Sequence, residues 1–130
     1  MPADHGLSCG FKGVWALSVS FQDVGADLRR IVISGRLDME GTDSVSARLM
    51  ELVEAPKKGV VIDLSAVRFL ASVGIRALVA SAKAVQQRGG RLVVVVAGGS
   101  TVSMSLEATG VDAWIPVFTS SEAAEAAALR

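Results

Sequence analysis

The sequence of 130 residues has few of the residues that build common metal, disulfide and catalytic sites. It contains one cysteine, Cys9, and one histidine, His5. A single cysteine permits no internal disulfide, which is typical of proteins from a reducing cytoplasm. One histidine in the amino-terminal segment completes neither a zinc site with Cys9 nor a catalytic triad. We therefore expect a cytoplasmic protein with no metal or other cofactor and no histidine-based catalytic triad.

Long apolar runs and an excess of charge of one sign are also missing. The longest uninterrupted apolar run, residues 92–97, is far below the roughly 20 residues that a membrane helix requires. Residues 1–13 lack the charged-then-apolar order of a secretory signal. Thirteen basic and thirteen acidic residues cancel, and no basic face is evident, so we expect neither a nucleic acid nor a membrane as partner.

Hydrophobic residues, by contrast, make up 51% of the chain, which is enough to build the core of one domain. Residues 1–13 have no periodicity and are predicted to be a loose segment ahead of a single domain over residues 14–130. Apolar spacing then predicts the order ββαβαβαβα. This order corresponds to an α/β fold with a four- to five-stranded mixed sheet and about four helices.

Five segments have the pattern of strands. They are residues 15–21, 28–34, 60–64, 91–97 and 113–118. The first two are close enough to form a hairpin, and Pro116 places the last at an edge of the sheet. The third and fourth are nearly continuous apolar runs, which predicts strands buried on both faces.

Helices are predicted to follow four of these strands. The first begins at Thr42 or Asp43, the second at Ser72, the third after residues 98–100 and the fourth after a capping box at 119–122. Strands separated by helices pair in parallel, so the loops after them lie at one edge of the sheet. We therefore expect Asp38, Ser72 and residues 98–99 to share that edge.

Ser72 lies where the central strand gives way to a helix. It occupies the predicted N-cap, where its hydroxyl would accept a hydrogen bond from the backbone N–H of Gly74 or Ile75. A phosphate at this place would face free N–H groups and the positive end of the helix dipole, with Arg76 within reach as a counter-ion. Position alone leaves two interpretations open, an ordinary capping serine and a phosphorylation site.

Three other features carry weaker signals. Asp38, in the loop before the first helix, could bind a cation or a partner, or satisfy backbone N–H groups. Residues 98–101 lack the spacing and the lysine of a phosphate-binding loop, so a tight turn is expected. Asp63 has no second carboxylate at a spacing suited to acid–base chemistry and is predicted to cap or pair locally.

Two motifs in register resemble those of a known family. Residues 61–78, VIDLSAVRFLASVGIRAL, resemble the signature of STAS domains, in particular of bacterial anti-sigma factor antagonists. The family pattern is close to D-L-S-x-V-x-F-(hydrophobic)-D-S-[ST]-G-L, and its phosphorylated serine falls on Ser72. Residues 35–38 resemble the family's G-x-L-D, whose aspartate contributes to the phosphorylation site and falls on Asp38. The resemblance covers roughly residues 14–129.

This resemblance implies a protein that switches partners. The unphosphorylated domain would bind an anti-sigma factor that is itself a serine kinase, and would thereby free the sigma factor. Phosphorylation of Ser72 would break the complex, and a phosphatase of the PPM type would restore it. The partner-binding residues that follow from the resemblance are Asp38, Ala71, Ser72, Val73, Gly74 and Arg76.

Two departures from the family pattern leave a second interpretation open. Ala71 and Val73 stand where the family has Asp and Ser or Thr. They would suit a STAS domain that serves, without phosphorylation, as a scaffold subunit in a transporter-associated or other signalling complex. A third hypothesis, a small molecule or nucleotide bound near Gly98 and Gly99, has no phosphate-binding motif to support it. None of these interpretations specifies an oligomeric state.

Overall fold

A computed structural model describes residues 18–37, 39–54 and 58–129. Its sheet has five strands in the order β1-β2-β3-β4-β5. They are β1 (Ser18–Val24), β2 (Leu28–Leu37), β3 (Gly59–Leu70), β4 (Arg91–Val95) and β5 (Val117–Phe118). The β1–β2 pair is antiparallel and the other neighbours are parallel.

Four α-helices are found among the described residues. They are α1 (Met39–Val53), α2 (Ser72–Gln87), α3 (Thr101–Thr109) and α4 (Ser121–Ala128), with a 3₁₀ turn at Val111–Ala113. The chain therefore runs ββαβαβαβα. The predicted α/β fold with a mixed sheet and about four helices is confirmed.

The sheet buries apolar side chains on both faces. Ile62 and Val94 join the larger core cluster, to which α1, α2 and α3 contribute residues such as Leu49 and Leu78. Val61 and Val93 point to the other face, where α4 packs with its alanines. Because neighbouring strand residues face opposite ways, burial on both faces explains why β3 and β4 are nearly continuous apolar runs.

Strand β3 is longer than the sequence predicted. Its pairing with β2 continues to Leu70, so the predicted loop after Leu64 is wrong. Two register shifts each place one extra residue on β3 opposite β2. These bulges break the alternation of apolar residues, and only Val67 and Leu70 are buried beyond Leu64. A single residue, Ala71, therefore separates β3 from α2.

Other boundaries differ from the prediction for similar reasons. Since β2 stays paired to Leu37, helix α1 begins at Met39, ahead of the predicted caps Thr42 and Asp43. A 3₁₀ turn occupies residues 111–113, and the last strand is reduced to residues 117–118. That strand does lie at an edge of the sheet, as Pro116 indicated.

Several sequence expectations lie outside the described residues. Residues 1–13 are among them, so the division into a loose segment and a domain from residue 14 stays a prediction. Residues 15–17 of the first predicted strand and Asp38 fall outside as well.

Candidate functional site

The carboxyl ends of β2, β3 and β4 lie at one edge of the sheet, because these strands run parallel. Ser72 follows β3 and Gly98-Gly99 follow β4, so both sit on this edge, as predicted. The two are not side by side, however. The last β3 residue paired with β4 is Asp63, and β3 then continues along β2 alone. Ser72 therefore lies next to the end of β2 and farther out than the two glycines.

The end of β2 is the position from which Asp38 was predicted to act. Leu37, the residue before it, pairs with Leu70 of β3. Asp38 itself lies outside the described residues. Its place in the site remains a prediction.

Ala71, and not Ser72, is the N-cap of α2. Its backbone is extended, with φ −83° and ψ 168°, and its carbonyl accepts hydrogen bonds from the N–H of Gly74 at 2.9 Å and of Ile75 at 3.1 Å. The predicted capping bond to the Ser72 hydroxyl is therefore wrong. Since the extended strand runs to Leu70, the chain reaches the helix one residue earlier than its apolar spacing indicated.

The Ser72 side chain is consequently available at the surface. Ser72 is exposed, and within the described ranges no group is hydrogen-bonded to its hydroxyl. Of its neighbours, Ala71 and Val73 are half-buried, Gly74 is buried, and Arg76 is exposed one turn further along α2. A hydroxyl with no structural bond at the start of a helix can be modified without loss of a cap.

The first turn of α2 favours an anion near Ser72. The first turn of α2 contains no acidic residue. The first N–H groups of a helix lack partners within the helix, and they carry the positive end of its dipole. A negative group there is stabilised by roughly 0.3–1 kcal/mol when exposed. Arg76, at position i+4, adds a full positive charge on the same side of the helix.

Phe69 is a surface residue of this site that the sequence analysis did not identify. It lies three residues before Ser72, and 36% of its surface is exposed. Sequence reasoning missed it because residues 65–71 were taken as a loop, whereas they belong largely to β3. No periodic signal could have found it, since the bulges remove the alternation on which strand prediction depends.

The turn after β4 has the form that the sequence predicted. Gly99 has φ +71°, and the Ser100 hydroxyl caps α3 by accepting a hydrogen bond from the N–H of Ser103 at 3.1 Å. The cap thus uses one of the N–H groups that a phosphate-binding loop would present to a ligand.

Asp63 pairs locally, as predicted. Its carboxylate accepts hydrogen bonds from the N–H of Ser65 at 2.9 Å, from the Ser65 hydroxyl at 2.6 Å and from Arg30 at 3.1 Å. Burial acts to raise the pKa of Asp63, but the bonds from Ser65 and the charge of Arg30 outweigh it and hold this pKa below its ordinary value. A carboxylate held in its charged form in this way is a structural anchor.

The described residues contain no cluster of three or more histidine, cysteine, aspartate or glutamate residues that could hold a metal ion. In the same part of the chain, every helix is too short or too polar to cross a membrane.

Comparison with known proteins identifies the family. The sequence model of the STAS domain matches residues 26–124, which is most of the chain. The chain therefore belongs to the STAS domain family, as the two motifs indicated. None of the curated proteins is detectably similar to it in sequence.

Solved structures share the fold over nearly their whole length. An anti-sigma factor antagonist from Mycobacterium paratuberculosis is 27% identical, with a TM-score of 0.79 over 88% of this chain and 95% of that one. The phosphorylated form of the Bacillus cell fate determinant SpoIIAA is 16% identical, with a TM-score of 0.60 over 82% and 96%. A sulfate transporter family protein from Wolinella succinogenes is 20% identical, with a TM-score of 0.63 over 83% and 89%.

Proposed function

We propose that this protein is an anti-sigma factor antagonist controlled by phosphorylation of Ser72. In its unphosphorylated form it binds an anti-sigma factor with serine kinase activity in the cytoplasm and frees the sigma factor. Phosphorylation breaks that complex, and a phosphatase of the PPM type restores it. The protein is then a substrate of these enzymes and not an enzyme itself.

One observation carries the proposal: the exposed Ser72 hydroxyl makes no capping bond, because the Ala71 carbonyl has taken that role. If the Ser72 hydroxyl capped α2, its phosphorylation would remove the cap and destabilise the helix by roughly 1 kcal/mol. In its actual position a phosphate meets helix N–H groups and Arg76. The likeness to the antagonist from Mycobacterium paratuberculosis, over 95% of that chain, supports the same function.

The transfer itself needs groups that the kinase supplies. The Ser72 oxygen forms a bond to the γ-phosphorus of ATP while the bond from that phosphorus to ADP breaks. The hydroxyl proton must go to a base. Ala71 offers no carboxylate for this purpose, so we expect the base to come from the kinase or from Asp38.

The proposed partner surface is centred on this serine. It comprises Asp38, Ala71, Ser72, Val73, Gly74 and Arg76. Ala71 and Val73 are half-buried and offer small apolar contacts, and Arg76 offers a charge. Gly74 is buried, so it shapes the first turn of α2 without adding a side chain to the surface.

The proposal is tested by phosphorylation with the anti-sigma factor kinase of the source organism and ATP, followed by trypsin and mass spectrometry. Cleavage after Arg68 and Arg76 gives the peptide FLASVGIR, in which Ser72 is the single hydroxyl residue. We expect one phosphate on this peptide, in vitro and in protein recovered from cells, and none in Ser72→Ala. A phosphate that is confined to other peptides, or absent in both settings, would contradict the proposal.

A second candidate function is that of an unphosphorylated scaffold subunit in a transporter-associated complex. Ala71, in place of the family's aspartate, favours it. In that case Ser72→Asp binds the partner as tightly as the wild-type chain does, whereas the switch requires weaker binding.

A further inference from the structure

The chain is neutral as a whole, but its charges are distributed unevenly. No acidic residue occurs between Asp63 and Glu107. That segment contains five basic residues, Arg68, Arg76, Lys83, Arg88 and Arg91, while the rest of the chain holds eight basic and all thirteen acidic residues. The balanced total concealed this separation, and for that reason the sequence analysis found no basic face.

Helix α2 presents part of this charge on its exposed side. Its buried stripe consists of Gly74, Ile75, Leu78, Ser81, Ala82 and Val85. Ser72, Arg76 and Lys83 are exposed and fall within about 40° of one another around the helix axis, opposite that stripe. From Ser72 to Lys83 this side extends about 16 Å along the helix. We call these three residues the cationic face of α2.

The cations of this face have no acidic partner among the residues that the structure describes. Among the described residues, neither Arg76 nor Lys83 forms an ion pair or a side-chain hydrogen bond, and α2 contains no acidic residue. Three arginines elsewhere in the chain, Arg29, Arg30 and Arg48, are paired. Arg29 contacts Asp23 at 2.7 Å and Arg48 contacts Glu51 at 3.3 Å. Two exposed cations without an acidic partner among the described residues form a surface suited to an acidic partner.

We propose that the cationic face of α2 docks against an acidic surface of the partner protein, and that Lys83 belongs to this interface. The proposal rests on the proposed function and extends its partner surface by two helical turns beyond Arg76. Attraction between the two surfaces accelerates their encounter. A phosphate on Ser72, with about −1.5 to −2 charges, cancels the two positive charges of the face. Phosphorylation thereby removes the attraction as well as adding a repelling group.

A protein is the partner that the observations favour over a nucleic acid. The face carries two cations along about 16 Å, whereas duplex DNA presents one phosphate per roughly 1.7 Å. The remainder of the chain has five more acidic than basic residues, which would oppose a polyanion that extends past α2. A compact acidic patch on a protein can contact the face without being repelled by the acidic remainder of the chain.

The test measures association of the anti-sigma factor kinase with the unphosphorylated chain at about 50 and about 300 mM salt. We expect Lys83→Glu to lower the association rate constant about tenfold at low salt, and much less at high salt because salt screens exposed charges. Lys58→Glu is the matched control. It makes the same charge change at an exposed lysine before β3, at the opposite end of that strand from Ser72, and should stay within about twofold of wild type. Lys83→Gln should give about half the effect in free energy, and circular dichroism checks that each variant folds.

The outcomes separate this inference from the proposed function. If Lys83→Glu associates as wild type does while the kinase still phosphorylates Ser72, the docking face is overturned and the proposed function stands. If no kinase phosphorylates Ser72, the proposed function fails. The face is then tested with a 20-residue polyglutamate peptide, using amide NMR shifts of α2.

With that peptide, low-salt shifts confined to α2 and lost in Lys83→Glu support the docking face, and an absence of shifts overturns it. Tighter binding of duplex DNA than of polyglutamate to the same helix would overturn the choice of an acidic protein. Self-association abolished by Lys83→Glu would overturn it too, since the acidic partner would then be a second copy of this chain.

Discussion

The guanidinium of Arg30 on β2 donates a hydrogen bond of 3.1 Å to the buried carboxylate of Asp63 on β3. The same guanidinium lies 3.4 Å from the Ser121 hydroxyl and 3.9 Å from the Glu125 carboxylate, both on α4. One arginine thus connects two strands and the helix that covers this face of the sheet. The ion pair between Arg30 and Glu125 adds little to the stability of the fold, because it is long and partly exposed. The buried carboxylate of Asp63, by contrast, depends on the charge of Arg30.

We predict that Asp63→Asn lowers the free energy of unfolding by about 1–3 kcal/mol near neutral pH, because charged hydrogen bonds are lost. The pKa of Asp63 in the folded protein lies below its ordinary value of 3.8. The stability that Asp63 contributes is therefore fully present above that pH and disappears as pH falls through the folded pKa. Urea unfolding at several pH values should show the gap between wild type and Asp63→Asn narrowing below about pH 4. A gap that stays constant with pH would mean that the charge of Asp63 is not what stabilises the fold.

Gly59, at the start of β3, is required by the close approach of α4. A Cβ at this position would lie 2.5 Å from the backbone oxygen of Ala128. We expect Gly59→Ala to lower the free energy of unfolding by about 1–3 kcal/mol, because α4 must shift to make room. Gly98→Ala is the control, since its Cβ meets only Thr119, at an ordinary 3.4 Å. Equal melting temperatures for the two variants would contradict this account of α4 packing.

Two serines at helix starts should respond differently to replacement by alanine. Ser100 caps α3 through its side chain, and Ser100→Ala should cost about 1 kcal/mol. Ser72 makes no such bond, so Ser72→Ala should stay within about 0.5 kcal/mol of wild type. Denaturant unfolding compares the two directly. If Ser72→Ala lowered the free energy of unfolding as much as Ser100→Ala does, the Ser72 hydroxyl would have to cap α2 after all.

A charge at position 72 should weaken partner binding without unfolding the domain. We expect Ser72→Asp to raise the dissociation constant for the kinase more than tenfold, or roughly 1.4 kcal/mol. Its melting temperature should be at or slightly above that of wild type, because a carboxylate in the first turn suits the helix dipole. Calorimetric titration and thermal unfolding of one preparation provide both values. Unchanged affinity would favour the scaffold function.

The sequence was sufficient for the order of strands and helices. The buried residues of α2 recur at helical spacing, and the runs at 60–64 and 91–97 predicted strands covered on both faces. Local chemistry also predicted the turn at Gly98-Gly99. These features depend on neighbours within a few residues, and such interactions can be read from spacing.

The geometry of the candidate site was decided by contacts between distant segments. Pairing with β2 extends β3 to Leu70 through two bulges, and no local pattern marks that extension. It moves the N-cap from Ser72 to Ala71 and leaves the serine hydroxyl exposed.

The sequence by itself thus determined the family, the motif and the position of Ser72 within that motif, because these depend on residue identity and spacing. Only the tertiary structure decided that, among the described residues, the Ser72 hydroxyl has no hydrogen-bond partner and Arg76 and Lys83 on α2 have no ion pair. Strand register and the surroundings of a side chain depend on residues far apart in the chain, so the full fold had to be known first.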